Sequence, residues 1–319
     1  MPVLYLTEAD VRRVLTMAVA LPAVEAAFRK LALDEAVNCP RQRCQTDAVM
    51  LHVLPAAAKT LGALGLKAYT TGKFDAQFHV FLFDPLHGGL TAILQADYLG
   101  QVRTGAASGV ATKKLARADA KTVGLYGTGK QARTQLEAVC QVRKIESVAV
   151  FGRDEARRTA FAAEMTAACG VPIKAVASPE LAAVGKDIIV TATTCKEPVL
   201  KGEWVGEGAH LNLVGSNMRA RAEADVDVFR KATLVAIDSK EQGRAEAGDF
   251  VAPLDAGVLH WADVREFAPL LVGRYPGRES PADITVFKSL GLGVQDIAVA
   301  VKVVELARAA GLGVELPIG

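Results

Sequence analysis

The sequence predicts an α/β fold, with a parallel sheet in its central part and a mixed helix-and-sheet region before it. Two observations carry the parallel sheet. From Lys121 onward short apolar runs alternate with helical patterns, and in VGLYGTGKQA (Val123 to Ala132) two glycines stand at the bend between a strand and a helix. Such alternation calls for parallel neighbours joined by right-handed helical crossovers. The third observation is length, since 319 residues allow about two domains of ~150 residues, each able to bury a core without staples. With 51% hydrophobic residues, a folded, soluble chain is expected.

The elements follow in order. Arg12 and Arg13 before VLTMAVALPAV imitate a secretion signal, but Glu8, Asp10 and Glu25 flank the run and no small-residue cleavage pattern follows. Two short helices are the expectation. LPAVEAAFRKLAL spaces Val24, Phe28 and Leu31 on one helical face, whereas AVMLHVLPA, LGLKAYT and FHVFLFD are β-rich. RTGAASGVATKKLAR reads as a helix whose small residues, Gly105 to Gly109, permit close approach to a neighbour or ligand; it is placed at the domain junction, with Arg103 at its start.

Strands are expected at 123–126, 147–151, 173–176, 187–192, 210–214, 233–237 and 284–287. The final helix, VQDIAVAVKVVELARAAG, sets Val294, Ile297, Ala298, Val301 and Val304 on one face and Gly311 at its C-cap. No apolar run approaches the ~20 residues of a membrane span.

Composition removes several function classes. Lys plus Arg number 37 against 35 for Asp plus Glu, and the basic residues are scattered, which argues against a nucleic-acid groove. Five cysteines (Cys39, Cys44, Cys140, Cys169, Cys195) form no CxxC pair, and the histidines lack ligand spacing. Reduced, mostly buried thiols in a cytoplasmic protein without a metal site are expected.

Gly127, Gly129 and Ala132 fit the GxGxxG/A fingerprint of a dinucleotide site. The first glycine allows the tight turn, the second lets a pyrophosphate approach the backbone, and the small third residue lets helix and strand pack closely. The helix N-terminus favours the ligand's negative charge. An NAD site usually carries an acid at the end of the second strand. VAVFGRDEARR instead offers Gly152 and Arg153 there, with Arg157 and Arg158 one turn later. A guanidinium pairs with a 2′-phosphate, so NADP(H) is favoured over NAD(H). The rival reading gives the acid's role to Asp154, one place late.

RTGAAS, GTGKQA, VGSN and DITVFKSLGLGVQDIA, in this order, resemble the ornithine cyclodeaminase/mu-crystallin family almost end to end. The resemblance implies a Rossmann-type parallel sheet domain plus an α+β substrate-binding and dimerisation domain built from both chain ends. In those terms residues 1–115 with 292–319 form the substrate and dimerisation domain and 116–291 the dinucleotide domain. It also implies a homodimer and a small amino-acid or cyclic imino-acid substrate. Membership alone does not choose among the family's reductases, amino-acid dehydrogenases, cyclodeaminases and thyroid-hormone-binding crystallins.

By the same resemblance, Arg41 (with Arg43 as a rival) and Arg103 grip the substrate carboxylate, and Lys67 moves a proton beside the reacting carbon. A buried lysine near two arginines has a lowered pKa, which suits that task. Thr104, Gly127, Thr128, Gly129, Gln131, Ala132, Arg153, Thr193, Gly215, Ser216 and Ser289 are implied to contact the cofactor. Lys288 is either a cofactor contact or a solvated lysine, and Asp296 a structural, capping or pairing residue outside the catalytic set. Tyr69, Thr71 and His79 are either pocket-lining or packing residues. Asn217 stands where the family's cyclodeaminases carry an aspartate. A neutral amide neither takes a proton nor pairs strongly with a second ammonium, so the substrate-binding Asn217 counts against cyclodeamination.

The leading expectation is therefore an NAD(P)-dependent oxidoreductase acting on the C–N bond of a small amino or cyclic imino acid. A Δ1-pyrroline-2-carboxylate or ketimine reductase and an amino-acid dehydrogenase both fit. The alternatives are an ornithine cyclodeaminase recycling bound NAD and a non-catalytic ligand-binding protein of the mu-crystallin kind.

Overall fold

The computed structural model describes residues 2–318 and divides into two compact units, Met1–Arg103 with Leu292–Gly319, and Thr104–Gly291. The first unit holds β1 (Val3–Leu6), β2 (Ala36–Asn38), β3 (Gln42–Gln45), β4 (Val49–Ala58), β5 (Ala63–Gly72), β6 (Gln77–Phe83) and β7 (Leu90–Gln95). A last strand, Val314–Leu316, pairs antiparallel with β1, and the sheet continues through β7, β6, β5 and β4 to β2, with β3 also on β4.

Two helices, Glu8–Val14 and Met17–Ala32, occupy the run that imitates a secretion signal. Thr7 opens the first through a capping box: its hydroxyl accepts from Asp10 N, while Asp10 Oδ2 accepts from Thr7 N at 3.0 Å. These helices and Gly293–Ala309 pack against each other and against the sheet.

The period-2 alternation of the strands fixes which side chains enter that layer. Leu54, Ala56 and Ala58 of β4, Ala63, Gly65 and Lys67 of β5, and Val80 and Leu82 of β6 are buried on the inner face. Lys67 stands opposite Leu54 and Val80, an apolar row in which a lysine is out of place unless it has a task. The other face, with Val53, Pro55, Leu66, Phe81 and Ile93, is half-buried yet apolar. An antiparallel sheet facing water is ordinarily polar there.

The second unit holds β8 (Thr122–Tyr126), β9 (Ser147–Phe151), β10 (Ile173–Ala175), β11 (Ile188–Thr191), β12 (His210–Leu213), β13 (Leu234–Ile237), β14 (Arg265–Glu266) and β15 (Thr285–Lys288). All are parallel, in the order β10-β9-β8-β11-β12-β15-β13-β14. Seven match the expected strands to within one residue at most ends, whereas the two-residue β14 carries no apolar run that would announce it. Val123, Leu125, Val150 and Val190 join a core with Leu136 and Phe161 on one face of the sheet. Tyr126, Ile189, Leu211 and Val286 join another with Phe229 and Phe250. Covered on both sides, these strands read as continuous apolar runs. Strand order reverses between β8 and β11, and the crevice at such a reversal, at the carboxyl ends of the strands, is where open α/β sheets take dinucleotides.

Three expectations are corrected. The junction helix runs Asp97–Leu115, so Arg103 lies in its second turn rather than at its start. Its first N–H groups, of Asp97 and Tyr98, donate to the Glu8 carboxylate, a cap from 89 residues away that no local pattern announces. In the last helix the buried face passes from Ile297 and Ala300 to Val303 and Ala307, leaving Val301 and Val304 half-buried. The cysteines are not mostly buried: Cys39 and Cys44 are exposed and the other three half-buried.

Candidate functional site

In the first unit three buried charges meet. Asp296, one turn into Gly293–Ala309 and fully buried, receives Lys67 Nζ at 3.0 Å and Arg103 Nε at 2.9 Å on the same oxygen, Oδ1. Arg103 Nη1 also donates to Gln295 Oε1 at 3.1 Å. Asp296 Oδ2 has no hydrogen-bond partner among the described residues. Leaving a buried carboxylate oxygen unpaired is costly, so Oδ2 stands ready to accept from a ligand N–H or from a water.

Local sequence makes the meeting possible. A Cβ at Gly100 would stand 2.6 Å from Lys67 Nζ, so the glycine of DYLGQVR admits the ammonium. Gly293, whose Cβ would meet Leu54 O at 2.6 Å, lets the last helix settle on β4.

Burial pushes Lys67 down to about 8, with Arg103 and Arg41 acting in the same direction and Asp296 opposing them. Its proton is therefore exchangeable near neutral pH. Arg41 is itself buried. It bears electrostatically on both Lys67 and His52, whereas Arg43, paired in register with His52, bears on His52.

Beside Lys67 runs a ladder of rings, His52, Tyr69 and Phe78, directly opposite one another across β4, β5 and β6. His52 and Tyr69 stack at 4.2 Å, Tyr69 and Phe78 at 5.0 Å. The Lys67 ammonium lies 5.8 Å and 5.3 Å from the latter two ring centres. His52 bonds Thr71 Oγ1 at 2.9 Å, and burial first, then Arg43 and Arg41, hold it down at about 4, so it is neutral at physiological pH. Tyr69 and Thr71 thus share the face of Lys67. His79, opposite Ala68, points to the other face.

In the second unit the glycine bend follows β8. Gly127 has φ +105°, and a Cβ there would meet Ala192 O at 2.4 Å. Gly129 opens Lys130–Val142 with no side-chain cap, and a Cβ on it would meet nothing within 4 Å. The result is an open cradle at the N-terminus of a 13-residue helix, suited to a phosphate. Ala132 is fully buried, as close packing against β8 requires, and Thr128 and Gln131 belong to the same turn. Thr104 is buried, its carbonyl accepting from Gln135 Nε2 at 3.1 Å.

After β9 come Gly152 and the exposed Arg153. Asp154 is engaged as the N-cap of Glu155–Cys169, accepting from Arg157 N at 2.9 Å. Arg158 Nη1 donates to Gly152 O at 3.2 Å.

Thr193, Gly215, Ser216, Asn217 and Ser289 follow the carboxyl ends of β11, β12 and β15. Ser289 is buried and its N–H donates to Leu213 O at 3.0 Å. Lys288 is neither solvated nor available to a ligand: fully buried, its Nζ donates to Asp249 Oδ2 at 2.7 Å and Ser216 O at 2.8 Å. Glu223, which sequence reasoning passed over as one acid among many, ties these loops together from beneath. Nothing in its local sequence separates it from a surface carboxylate.

Among the described residues no helix is long and apolar enough to cross a membrane. The family model described as the ornithine cyclodeaminase/mu-crystallin family matches residues 3–311. A Δ1-pyrroline-2-carboxylate reductase of Bacillus cereus is 40% identical over 269 residues, 82% of each chain. The solved Δ1-pyrroline-2-carboxylate reductase of Thermococcus litoralis, in complex with NADH and L-proline, superposes with a TM-score of 0.94 at 36% identity over 98% of this chain and 100% of that one. An archaeal alanine dehydrogenase dimer with bound NAD gives 0.93 at 33% identity over 99% of both chains.

Proposed function

The chain belongs to the ornithine cyclodeaminase/mu-crystallin family, and from that premise we propose that it is an NAD(P)H-dependent reductase of a small cyclic imino acid of the Δ1-pyrroline-2-carboxylate type. The observation that carries the reading is the Lys67–Asp296–Arg103 cluster with its unpaired carboxylate oxygen. An iminium carboxylate is its chemical complement. The substrate carboxylate pairs with the guanidiniums of Arg103 and Arg41, and the N–H of the iminium, or of the product amine, donates to Asp296 Oδ2. The rings of Tyr69 and Phe78 offer an apolar wall to the carbon skeleton.

When bound, the nicotinamide supplies a hydride to the imine carbon. The neutral imine first gains one proton at nitrogen, and the resulting iminium, its N–H on Asp296, is the form that the hydride converts to the amine. Lys67, near neutrality in its affinity for protons, holds that proton at Nζ and releases it in the reductive direction. In the reverse direction the neutral amine takes it back. Arg103 and Asp296 fix the lysine and the carboxylate in one geometry, so orientation is set before the chemistry begins.

The glycine bend and the uncapped helix N-terminus support dinucleotide binding at Gly127, Thr128, Gly129, Gln131 and Ala132, with Thr104, Thr193, Gly215, Ser216 and Ser289 completing the site. Arg153 beyond β9, with the neighbouring Asp154 carboxylate committed to its helix, supports NADPH over NADH. The apolar outer face of the first unit's sheet supports a homodimer, because contiguous apolar surface of this kind is ordinarily covered. Asn217, which supplies no charge for a second substrate ammonium, supports reduction over cyclodeamination.

The test is to follow the nicotinamide absorbance of purified protein with NADPH or NADH and Δ1-pyrroline-2-carboxylate or its six-membered homologue. Oxidation with formation of the cyclic amino acid is expected, faster with NADPH. Release of proline and ammonia from ornithine, with neither imine reduced, would overturn the reading.

A further inference from the structure

Beneath the carboxyl ends of the second unit's strands lies a buried charge cluster that the proton transfer above does not use. Glu223 is fully buried and accepts four hydrogen bonds. Oε1 receives Thr193 N and Thr193 Oγ1, each at 2.7 Å, and Oε2 receives Thr191 Oγ1 at 2.8 Å and Gly215 N at 2.6 Å. Behind it Asp249 Oδ1 accepts from Glu223 N at 2.6 Å and Ala224 N at 3.2 Å, and Asp249 Oδ2 receives Lys288. A Cβ at Gly215 would fall 2.3 Å from Glu223 Oε1 and 2.3 Å from Thr193 O. The glycine of VGSN is therefore required by the approach of two loops to one carboxylate.

Tying two backbone N–H groups together needs only two acceptor positions. The remaining bonds engage hydroxyls, and so set which way their hydrogens point. A threonine hydroxyl has one hydrogen. Thr193 lies 2.7 Å from a carboxylate oxygen and 2.9 Å from Cys195 Sγ; the ionised acceptor forms the stronger bond and takes the proton. The Cys195 thiol has its own acceptor in Ala222 O at 3.4 Å. An ionised carboxylate accepts from all four neighbours at once; burial and the nearby Asp249 push the carboxyl up, while Lys288 and the two Thr193 bonds favour the ionised form. Thr193 Oγ1 is thereby left as an acceptor, taking the Cys195 N–H at 3.4 Å and keeping a second lone pair.

Its place in the fold says what it accepts from. The bend after β8 takes the pyrophosphate, and the region beyond β9 takes the adenosine side. The other end of a dinucleotide then falls across the reversal of strand order, toward β11, two residues before Thr193.

We propose that Glu223 is a positioning residue for cofactor recognition: by taking the hydroxyl proton of Thr193, it makes Thr193 Oγ1 an acceptor for the carboxamide N–H of the nicotinamide. The inference rests on the nicotinamide reading of the function and adds which atoms recognise the reactive ring.

The test measures dissociation constants by fluorescence or calorimetry, in the absence of substrate. The ligands are the reduced dinucleotide and its 3-acetylpyridine analogue, in which a methyl group replaces the amide NH2. Wild type is expected to prefer the amide by about fivefold or more, the value of one neutral hydrogen bond. In Glu223→Gln, whose amide donates toward Thr193, and in Thr193→Val, which removes the acceptor and keeps its shape, the ratio falls to near one. Thermal unfolding identifies any variant that fails to fold, and Thr193→Val, which removes one hydroxyl and leaves every charged group of the cluster in place, then carries the comparison. A wild type that binds both ligands equally, or a Thr193→Val variant that keeps the wild-type ratio, overturns the proposal while leaving the reductase reading intact. A wild type that binds neither ligand defeats the cofactor reading, and the proposal with it.

Discussion

Replacing Asp296 by asparagine removes the one anion that raises the proton affinity of Lys67 while preserving the shape of the site. Burial, Arg103 and Arg41 then act unopposed. An opposite charge in contact shifts a pKa by ~1–3 units, so Lys67, at about 8 in the wild type, falls to roughly 5–7. At about pH 7.5 its protonated fraction drops from about three-quarters to about a quarter for the smaller shift, and to below ~1% for the larger.

The assay is the pH dependence of kcat/KM for imine reduction, which reports ionisations of the free enzyme. The reductive direction needs the protonated lysine. Activity is therefore present at low pH and lost as pH rises through the lysine's pKa, near 8 in wild type and ~1–3 units lower in Asp296→Asn. The substrate's own ionisation is common to both proteins and cancels in the comparison. In the oxidative direction the dependence inverts, and rates rise with pH. An alkaline limb unmoved in Asp296→Asn would refute the assignment of the proton to Lys67. Thermal unfolding provides an independent reading, because breaking a buried pair by removing one partner costs ~3–5 kcal/mol.

Other changes act on separate parts of the molecule. Arg103→Met removes a charge-assisted contact worth ~1.5–3 kcal/mol and should raise the imino-acid KM about 10- to 100-fold with little change in cofactor affinity, read from steady-state kinetics with each substrate varied in turn. Gly127→Ala places a side chain at φ +105° with its Cβ 2.4 Å from Ala192 O. It should cost ~1–3 kcal/mol of stability and abolish dinucleotide binding, measured by thermal unfolding and by titration. Leu66→Lys on the apolar outer sheet face should turn the proposed dimer into monomer in analytical ultracentrifugation; a wild type that sediments as a monomer, or an unchanged sedimentation coefficient in the variant, would refute a dimer through this face.

How much of this was legible depends on how far each interaction reaches along the chain. The strands of the second unit are visible because burial on both faces makes each an apolar run, and Gly127 and Gly129 are visible because a tight turn and a phosphate cradle each dictate glycine locally. Lys67 reads as a snorkelling lysine until its register opposite Leu54 and Val80 is known, and only the family resemblance raised it above that. The sequence does not place Asp296, since its partners lie 229 and 193 residues away. Arg103 reads as a helix start because the true start, Asp97, is capped by Glu8 from a distant strand-to-helix turn. Glu223, Asp249 and Lys288 each look like solvated charges, and only the fold gathers them into one cluster.

The separation between Lys67 and Asp296 also bears on how the protein is made. The helix that seals the inner face of the first sheet, Gly293–Ala309, leaves the ribosome only after the whole of Thr104–Gly291. For that interval, about ten seconds or more at ordinary elongation rates, Leu54, Val80 and Lys67 await their cover, whereas the second unit has every one of its own strands as soon as Lys288 is made. The nascent chain is thus expected to complete its second unit first and to carry an unfinished first unit meanwhile. Slowing translation before residue 292 should prolong that exposure and raise aggregation, without altering the final fold.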